Sequence, residues 1–374
     1  MKALVLFTAI LWSLRPTAHA AVNPPDIREE FYGKLADGRD VKRFTLENSH
    51  GCRATVSELG AVLISVEVPD RDGKVADVTL GHKDFDGWAT TTHHFGATVG
   101  RFGNRIAGGT FRIDGKEYTL AKNSNSHGIA AALHGGLVGF DKKLWKGVIK
   151  DGGVEMTYLS PDGEEGYPGN LAVTVRYTFN EANELTWAAS ATTDAPTVVN
   201  LIQHAYWNLS GDPTTSTNDH ELTIESDAFL LANAGLIPTG ERVPVAGTPM
   251  DFTKPMKVGA RMDGDFEPMK ISGGGYDNAW ILRGTGLRQA ARLKDPESGR
   301  VMTVITDAPA LQVFTPNFDG KMEGKGGLHY QGRGAVCLET EAFPDAPNHP
   351  DFPSQVLRPG ETYRHTLTFK FSVE

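Results

Sequence analysis

Moving protons on and off a small molecule takes one side chain that accepts and one that donates near neutral pH, each in surroundings that tune it for that task. Among 46 acidic, 37 basic and 12 histidine residues in 374, the informative ones lie within apolar or glycine-rich sequence, where a charge needs a partner or a job. Five segments qualify. In AVCLETEAF (335–343) alternation puts Cys337, Glu339 and Glu341 on one strand face and Val336, Leu338 and Thr340 on the other, so Glu339 points away from the more apolar side. In NLIQHAYWNL (200–209) His204 sits among aromatics and amides, where burial and hydrogen bonding move a histidine's pKa around neutrality. Taken alone, that segment reads more simply as a satisfied core histidine.

FGATVGRFGNRIAGGTF (95–111) carries Arg101, Asn104 and Arg105 between glycines that permit tight turns. It lacks the Gly-Lys-Ser/Thr of a phosphate loop, and Gly100-x-x-Gly103 is not dinucleotide spacing. LHGG (133–136) adds His134, and GGGYDNAW (273–280) adds Asp277 beside Tyr276 and Trp280. Each alone is more often a turn than a site. Together, amide, guanidinium, imidazole and carboxylate groups are what fixes a sugar's ring of hydroxyls, with aromatics over its apolar face. His93 and His94 are adjacent, so their side chains diverge in extended backbone, and no HExxH or His-x-His set appears; a metal is not expected.

These groups need a scaffold, and strand signals dominate the chain: 56–68, 171–179, 185–192, 221–226, 291–295, 301–306, 311–315, 335–340 and 363–371. FRI-DG-KEYTL (111–120) predicts a hairpin on Asp114-Gly115, and Asn180 to Asn183 predicts another. With 42 Gly and 21 Pro as punctuation and no long capped amphipathic helix, the fold class is all-β, an antiparallel β-sandwich. No linker or repeat divides residues 21–374, which read as one domain whose first part, 21–40, is a loosely held extension.

Met1-Lys2, the apolar run 3–14 and Ala18-His19-Ala20 read as a secretory signal over residues 1–20; twelve apolar residues are too few for a spanning helix. The expected location is periplasmic or secreted, with no membrane association after cleavage. An acidic chain of net charge −9 without a Lys/Arg run excludes phosphate-backbone binding, so no nucleic acid partner is expected. Export permits a Cys52–Cys337 disulfide, but two buried free thiols are the simpler reading.

At the same five segments the chain resembles the aldose 1-epimerase (galactose mutarotase) family. The likeness runs from about 28 to 373 and keeps the motifs in order: GATVGRFGNRIAGGTF, LHGG with GFDKKLW (139–145), NLIQHAYWNLSG, GYDNAW and LETEAFPDAPNHP (338–350). The resemblance implies a large β-sandwich of the galactose-mutarotase type (a supersandwich) with few short helices, an open sugar cleft and no cofactor. It implies Glu339 as general base, His204 as general acid, and Asn104, Arg105, His134, Asp277 and Gln312 as sugar contacts. Gln203 and Glu341 depart from the family's usual Thr or Asn and Gln. Glu341 lies on the strand face of Glu339 and is expected to raise its pKa by like-charge repulsion.

The implied reaction interconverts the anomers of a free aldohexose such as glucose or galactose. The base removes the C1 hydroxyl proton, the acid protonates the ring oxygen, and the aldehyde recloses from its other face. His204 must then hold a proton, which Asp277 or another acid would favour. The alternatives are an exported glycoside hydrolase or lyase using two carboxylates, an epimerase of hexose 6-phosphates, and a carbohydrate-binding module without catalysis. A monomer or weak dimer is expected.

Overall fold

The computed structural model describes residues 25–262 and 264–374; the expected leader, 1–20, lies outside them. Two antiparallel sheets face each other. The larger has nine strands in the order Lys146–Lys150, Gly153–Ser160, Leu171–Phe179, Glu184–Thr193, Tyr363–Val373, Arg300–Thr306, Arg288–Lys294, Glu221–Ile224 and Met256–Lys257. The smaller has six: Tyr206–Trp207, Val336–Glu341, Ala310–Phe314, Asp277–Leu282, Ser226–Ala232 and Pro238–Pro244. The core between them is supplied by period-two alternation. Leu171, Val173, Val175, Tyr177 and Phe179 turn inward from one sheet, and Trp280, Leu311, Val336 and Leu338 from the other. Each large apolar side chain so buried is worth about 1.5–3 kcal/mol.

The same alternation turns the remaining residues of the six-stranded sheet outward, toward short strands such as Ala97–Val99 and Ile202–His204. A five-stranded sheet, Asp26–Lys34, Asp40–Glu47, Arg53–Ser57, Val62–Pro69 and Val75–Asp77, continues the six-stranded one at its Tyr206–Trp207 edge, where the Leu80 N–H donates to the Tyr206 carbonyl, and its Phe44, Leu46, Val56 and Val66 enter the same core. That sheet corrects two expectations. Residues 26–34 are a strand paired along its length to 40–47, not a loose extension; Val41, Phe44 and Leu46 of that partner strand are fully buried and anchor it. The expected strand 56–68 is two strands, broken where Gly60 and Ala61 take positive φ of 69° and 44°. A side chain on Gly60 would meet the Asp141 carbonyl at 2.5 Å, so the turn passes where only glycine fits.

Both predicted hairpins form. Asp114 and Gly115 have φ of 51° and 80° between Thr110–Ile113 and Lys116–Thr119, and Asn180 closes the 179–184 turn by accepting from the Ala182 and Glu184 amides. The α-helices, Phe85–Thr90 and Glu267–Ile271, are short, and among the described residues no helix is long and apolar enough to cross a membrane. Cys52 and Cys337 are free and buried.

Candidate active site

Register places the chemistry. Gln312 lies directly across from Glu339, and Asp277 across from Phe314, so three neighbouring strands present these four side chains on the outward face of the six-stranded sheet. His204 ends the strand that pairs with Ala97–Val99. Arg105 opens the strand Arg105–Ala107, opposite Leu133, which brings His134 alongside Asn104. All seven expected site residues line one cavity of about 240 Å³, together with His94, Tyr206 and Phe314.

Asn104 and His134 clasp each other. Both adopt left-handed backbone, with φ of 60° and 51°. The Asn104 N–H donates to His134 Nδ1 at 3.2 Å, and the His134 N–H to the Asn104 carbonyl at 3.0 Å. A lone pair on Nδ1 leaves the imidazole proton on Nε2, so neutral His134 offers a donor there. Burial, then the charges of His94, His204 and Arg105, push its pKa well down, which keeps it neutral. Gly135, next in the chain, has φ 88°, and a side chain there would collide with the Gly100 carbonyl at 1.8 Å.

Asp277 is held on both oxygens, by Gln312 Nε2 at 2.5 Å and Arg105 Nη2 at 3.4 Å. Gln312 Oε1 and Arg105 Nε are buried with no hydrogen-bond partner. Buried polar atoms without partners inside a cavity are where a polyhydroxylated ligand would bond.

His204 Nε2 stands 3.4 Å from Glu339 Oε2, with both side chains almost fully buried. Burial dominates both. It raises the Glu339 carboxyl well above the usual range, reinforced by the negative charges of Glu341 and Asp277, and it lowers His204 to about 3, reinforced by His94. Glu341 itself is pushed up to about 8 by burial, against the Asn104 and Asn200 amides that donate to its two oxygens at 2.9 and 3.2 Å. The expected effect of Glu341 on Glu339 is therefore present.

Three expectations change. The carboxyl beside His204 is Glu339, since Asp277 is engaged elsewhere, and burial depresses the imidazole rather than holding it charged. Arg101 is not in the cavity; its guanidinium is buried and donates to carbonyls of Pro168, Gly169 and Pro161 and to Ser160 Oγ, at 2.6–3.2 Å. Tyr276 and Trp280 pack into the sandwich core, and the aromatics at the cavity are Tyr206, stacked on His204 at 5.0 Å, and Phe314. Gln203 is structural, donating to the Gly96 carbonyl and accepting from the Ala205 amide.

His94 also lines the cavity. Its Nδ1 lies 3.2 Å from Asp141 Oδ2, which Lys142 also holds at 2.6 Å, and its ring meets His134 edge-on at 4.7 Å. Despite burial, those neighbours lower Asp141 to about 2. Period two from His204 and from Gln312 would have found Tyr206 and Phe314.

A sequence model described as aldose 1-epimerase matches residues 42–370. The chain belongs to the aldose 1-epimerase family. Among relatives, it is 44% identical over 345 residues to the galactose mutarotase of Homo sapiens, covering 91% of this chain and 97% of that protein. It is 36% identical over 343 residues to the aldose 1-epimerase of Escherichia coli strain K12, covering 90% and 97%. The crystal structure of galactose 1-epimerase from Lactobacillus acidophilus NCFM is similar at a TM-score of 0.81 and 26% identity, covering 93% of this chain and 99% of that one. The aldose 1-epimerase fold expected from the resemblance, a large antiparallel sandwich with few short helices, is the one observed.

Proposed function

We infer that the chain is an isomerase, an aldose 1-epimerase, and that Glu339 and His204 are its base and acid. The observation that carries this is a buried carboxyl and imidazole 3.4 Å apart at a cavity whose other polar atoms include unpartnered ones suited to hydroxyls, in a chain matching mutarotases over nearly all its length. The pair explains how burial helps. Glu339 as carboxylate with His204 as imidazolium holds one proton, and so does neutral Glu339 with neutral His204. Ring opening converts the first arrangement to the second: Glu339 takes the C1 hydroxyl proton while His204 gives its proton to the ring oxygen. Burial favours the second arrangement, the one that accompanies the open-chain aldehyde. After rotation about C1–C2, Glu339 returns its proton to O1, His204 takes the proton from O5, and the pair is back where it began. No proton need come from solvent. Each group is worth on the order of 10²–10⁴ in rate.

Arg105, Asp277, Gln312, Asn104 and His134 would hold the non-reacting hydroxyls so that only C1 moves. A glycoside hydrolase would need a second free carboxyl, whereas Asp277 is engaged by Arg105 and Gln312, and Glu341 by Asn104 and Asn200. The substrate class is free aldohexoses such as glucose and galactose. The apolar run 3–14 followed by Ala18-His19-Ala20 supports export to the periplasm or medium after loss of residues 1–20, as one domain acting as a monomer or weak dimer.

The test is polarimetry of freshly dissolved α-D-glucose and α-D-galactose in a weakly catalytic buffer. The protein should speed relaxation to an unchanged end point, and Glu339→Gln should lower kcat by on the order of 10²–10⁴ with little change in KM. Relaxation at the buffer's own rate with both sugars would overturn the assignment, and wild-type turnover in the variant would remove Glu339 from the mechanism.

A further inference from the structure

Beside the catalytic pair lies a thiol that the reaction does not use. His204, Cys337 and Glu339, all buried, offer one nitrogen, one sulfur and one oxygen within 4.8 Å of one another. Around a tetrahedral zinc ion with bonds of ~2.0–2.2 Å, nitrogen and oxygen ligands stand roughly 3.3–3.5 Å apart. His204 Nε2 and Glu339 Oε2 are 3.4 Å apart, so two ligands already have that spacing. A sulfur ligand at ~2.3 Å from the metal would stand roughly 3.6 Å from each of them, so Cys337 needs to close a gap of about 1.2 Å at most. Strand alternation fixes the thiol on the face of Glu339, against Tyr206 of the neighbouring strand. The Asp277 carboxylate adds a negative field that both Cys337 and Glu339 feel. The second His204 nitrogen, Nδ1, is buried without a hydrogen-bond partner, so no bond through it holds the ring against a small rotation.

We propose that His204, Cys337 and Glu339 form an inhibitory site for zinc or a similar thiophilic divalent cation, with the fourth tetrahedral position facing the sugar cavity. Nitrogen with thiolate selects zinc-like metals over magnesium or calcium. Binding releases two protons to the buffer, one from the thiol and the one that the Glu339–His204 pair shares, and joins three side chains to one ion. The acid and the base are then both occupied, so metal and sugar exclude each other. This consequence for turnover rests on the proposed function; the binding itself does not.

Two measurements separate them. Zn²⁺ added to the metal-free protein should slow mutarotation, a chelator should restore it, and raising galactose should raise the Zn²⁺ concentration needed. Cys337→Ser should keep the basal rate within about twofold and need at least the roughly 10–100-fold more Zn²⁺ that loss of even an outer-shell partner costs. Independently of turnover, Co²⁺ added to the wild-type protein should give a thiolate-to-cobalt charge-transfer band, absent in Cys337→Ser, which retains Cys52 as an internal control. Equal Zn²⁺ sensitivity of the two proteins, or a wild-type cobalt spectrum without a thiolate band, overturns the site. A thiolate band in a protein that never speeds mutarotation supports the site and removes the function.

Discussion

Glu341→Gln isolates the cost of a buried carboxyl. Glu341 is fully buried and titrates near 8, against an ordinary value of 4.5. The folded protein therefore binds its proton more tightly than the unfolded chain does. The stabilisation is fully present below pH 4.5 and is lost as pH rises through about 8, at about 1.4 kcal/mol per pH unit, about 5 kcal/mol in all. Between about pH 5.5 and 8 the wild type should lose about 3 kcal/mol from this group alone, a loss that glutamine cannot suffer. Against that stands a pH-independent cost. Asn104 and Asn200 both donate to Glu341, and neither amide can turn over without breaking another bond. Asn104 Oδ1 accepts from the Arg105 N–H at 2.9 Å, and Asn200 Oδ1 from the Ala342 N–H at 3.0 Å. A glutamine amide satisfies one donor and leaves the other facing its NH₂, at about 1–3 kcal/mol. Urea unfolding at the two pH values, extrapolated to water, should then show the difference between variant and wild type moving by about 3 kcal/mol in the variant's favour at the higher pH. A stability difference that stays the same at both pH values would refute the reasoning.

Arg105→Ala removes a guanidinium bond to Asp277 in the sugar cavity, and should lower kcat/KM for galactose by the roughly 10–150-fold that about 1.5–3 kcal/mol represents, mostly through KM; an unchanged KM argues that Arg105 only braces Asp277. Asp141→Asn should cost about 2 kcal/mol at pH 7, because the Asp141 carboxyl is lowered from 3.8 to about 2; the gap should close as pH falls through 2, and denaturant unfolding at several pH values checks it. Gly135→Ala sets a Cβ against the Gly100 carbonyl in left-handed backbone, so stability should fall by more than about 3 kcal/mol; a melting temperature like wild type would mean the His134 turn can shift.

The sequence made the strands that alternate legible almost to their ends, as with 171–179 and 363–371, because burial on one face leaves a period-two imprint. It did not make legible what lies behind each polar group. Arg101 and Arg105 occupy equivalent-looking places in one glycine-rich segment, yet one feeds four buried oxygens and the other enters the cavity; which way each turns depends on residues 160–169 and 277, far along the chain. His94 is placed against Asp141, 47 positions on, and composition carries no trace of that contact. The electrostatic error at His204 has the same origin, since the local sequence is polar while the folded surroundings exclude water. By contrast Glu339, Glu341 and Cys337 were placed on one face from six letters, because a strand's geometry is local.

Tyr363–Val373, the last strand, occupies the middle of the nine-stranded sheet, with Glu184–Thr193 on one side and Arg300–Thr306 on the other. It comes later in the chain than every other described strand, so the two halves of that sheet stay unjoined until it has been made. Leu367 and Phe369, buried in the shared core, are missing until then. Until then the flanking strands present unpaired edges and uncovered apolar faces. A rearranged chain in which this strand precedes Glu184–Thr193 and Arg300–Thr306 should close the core earlier in synthesis, read as protease resistance gained at a shorter nascent length.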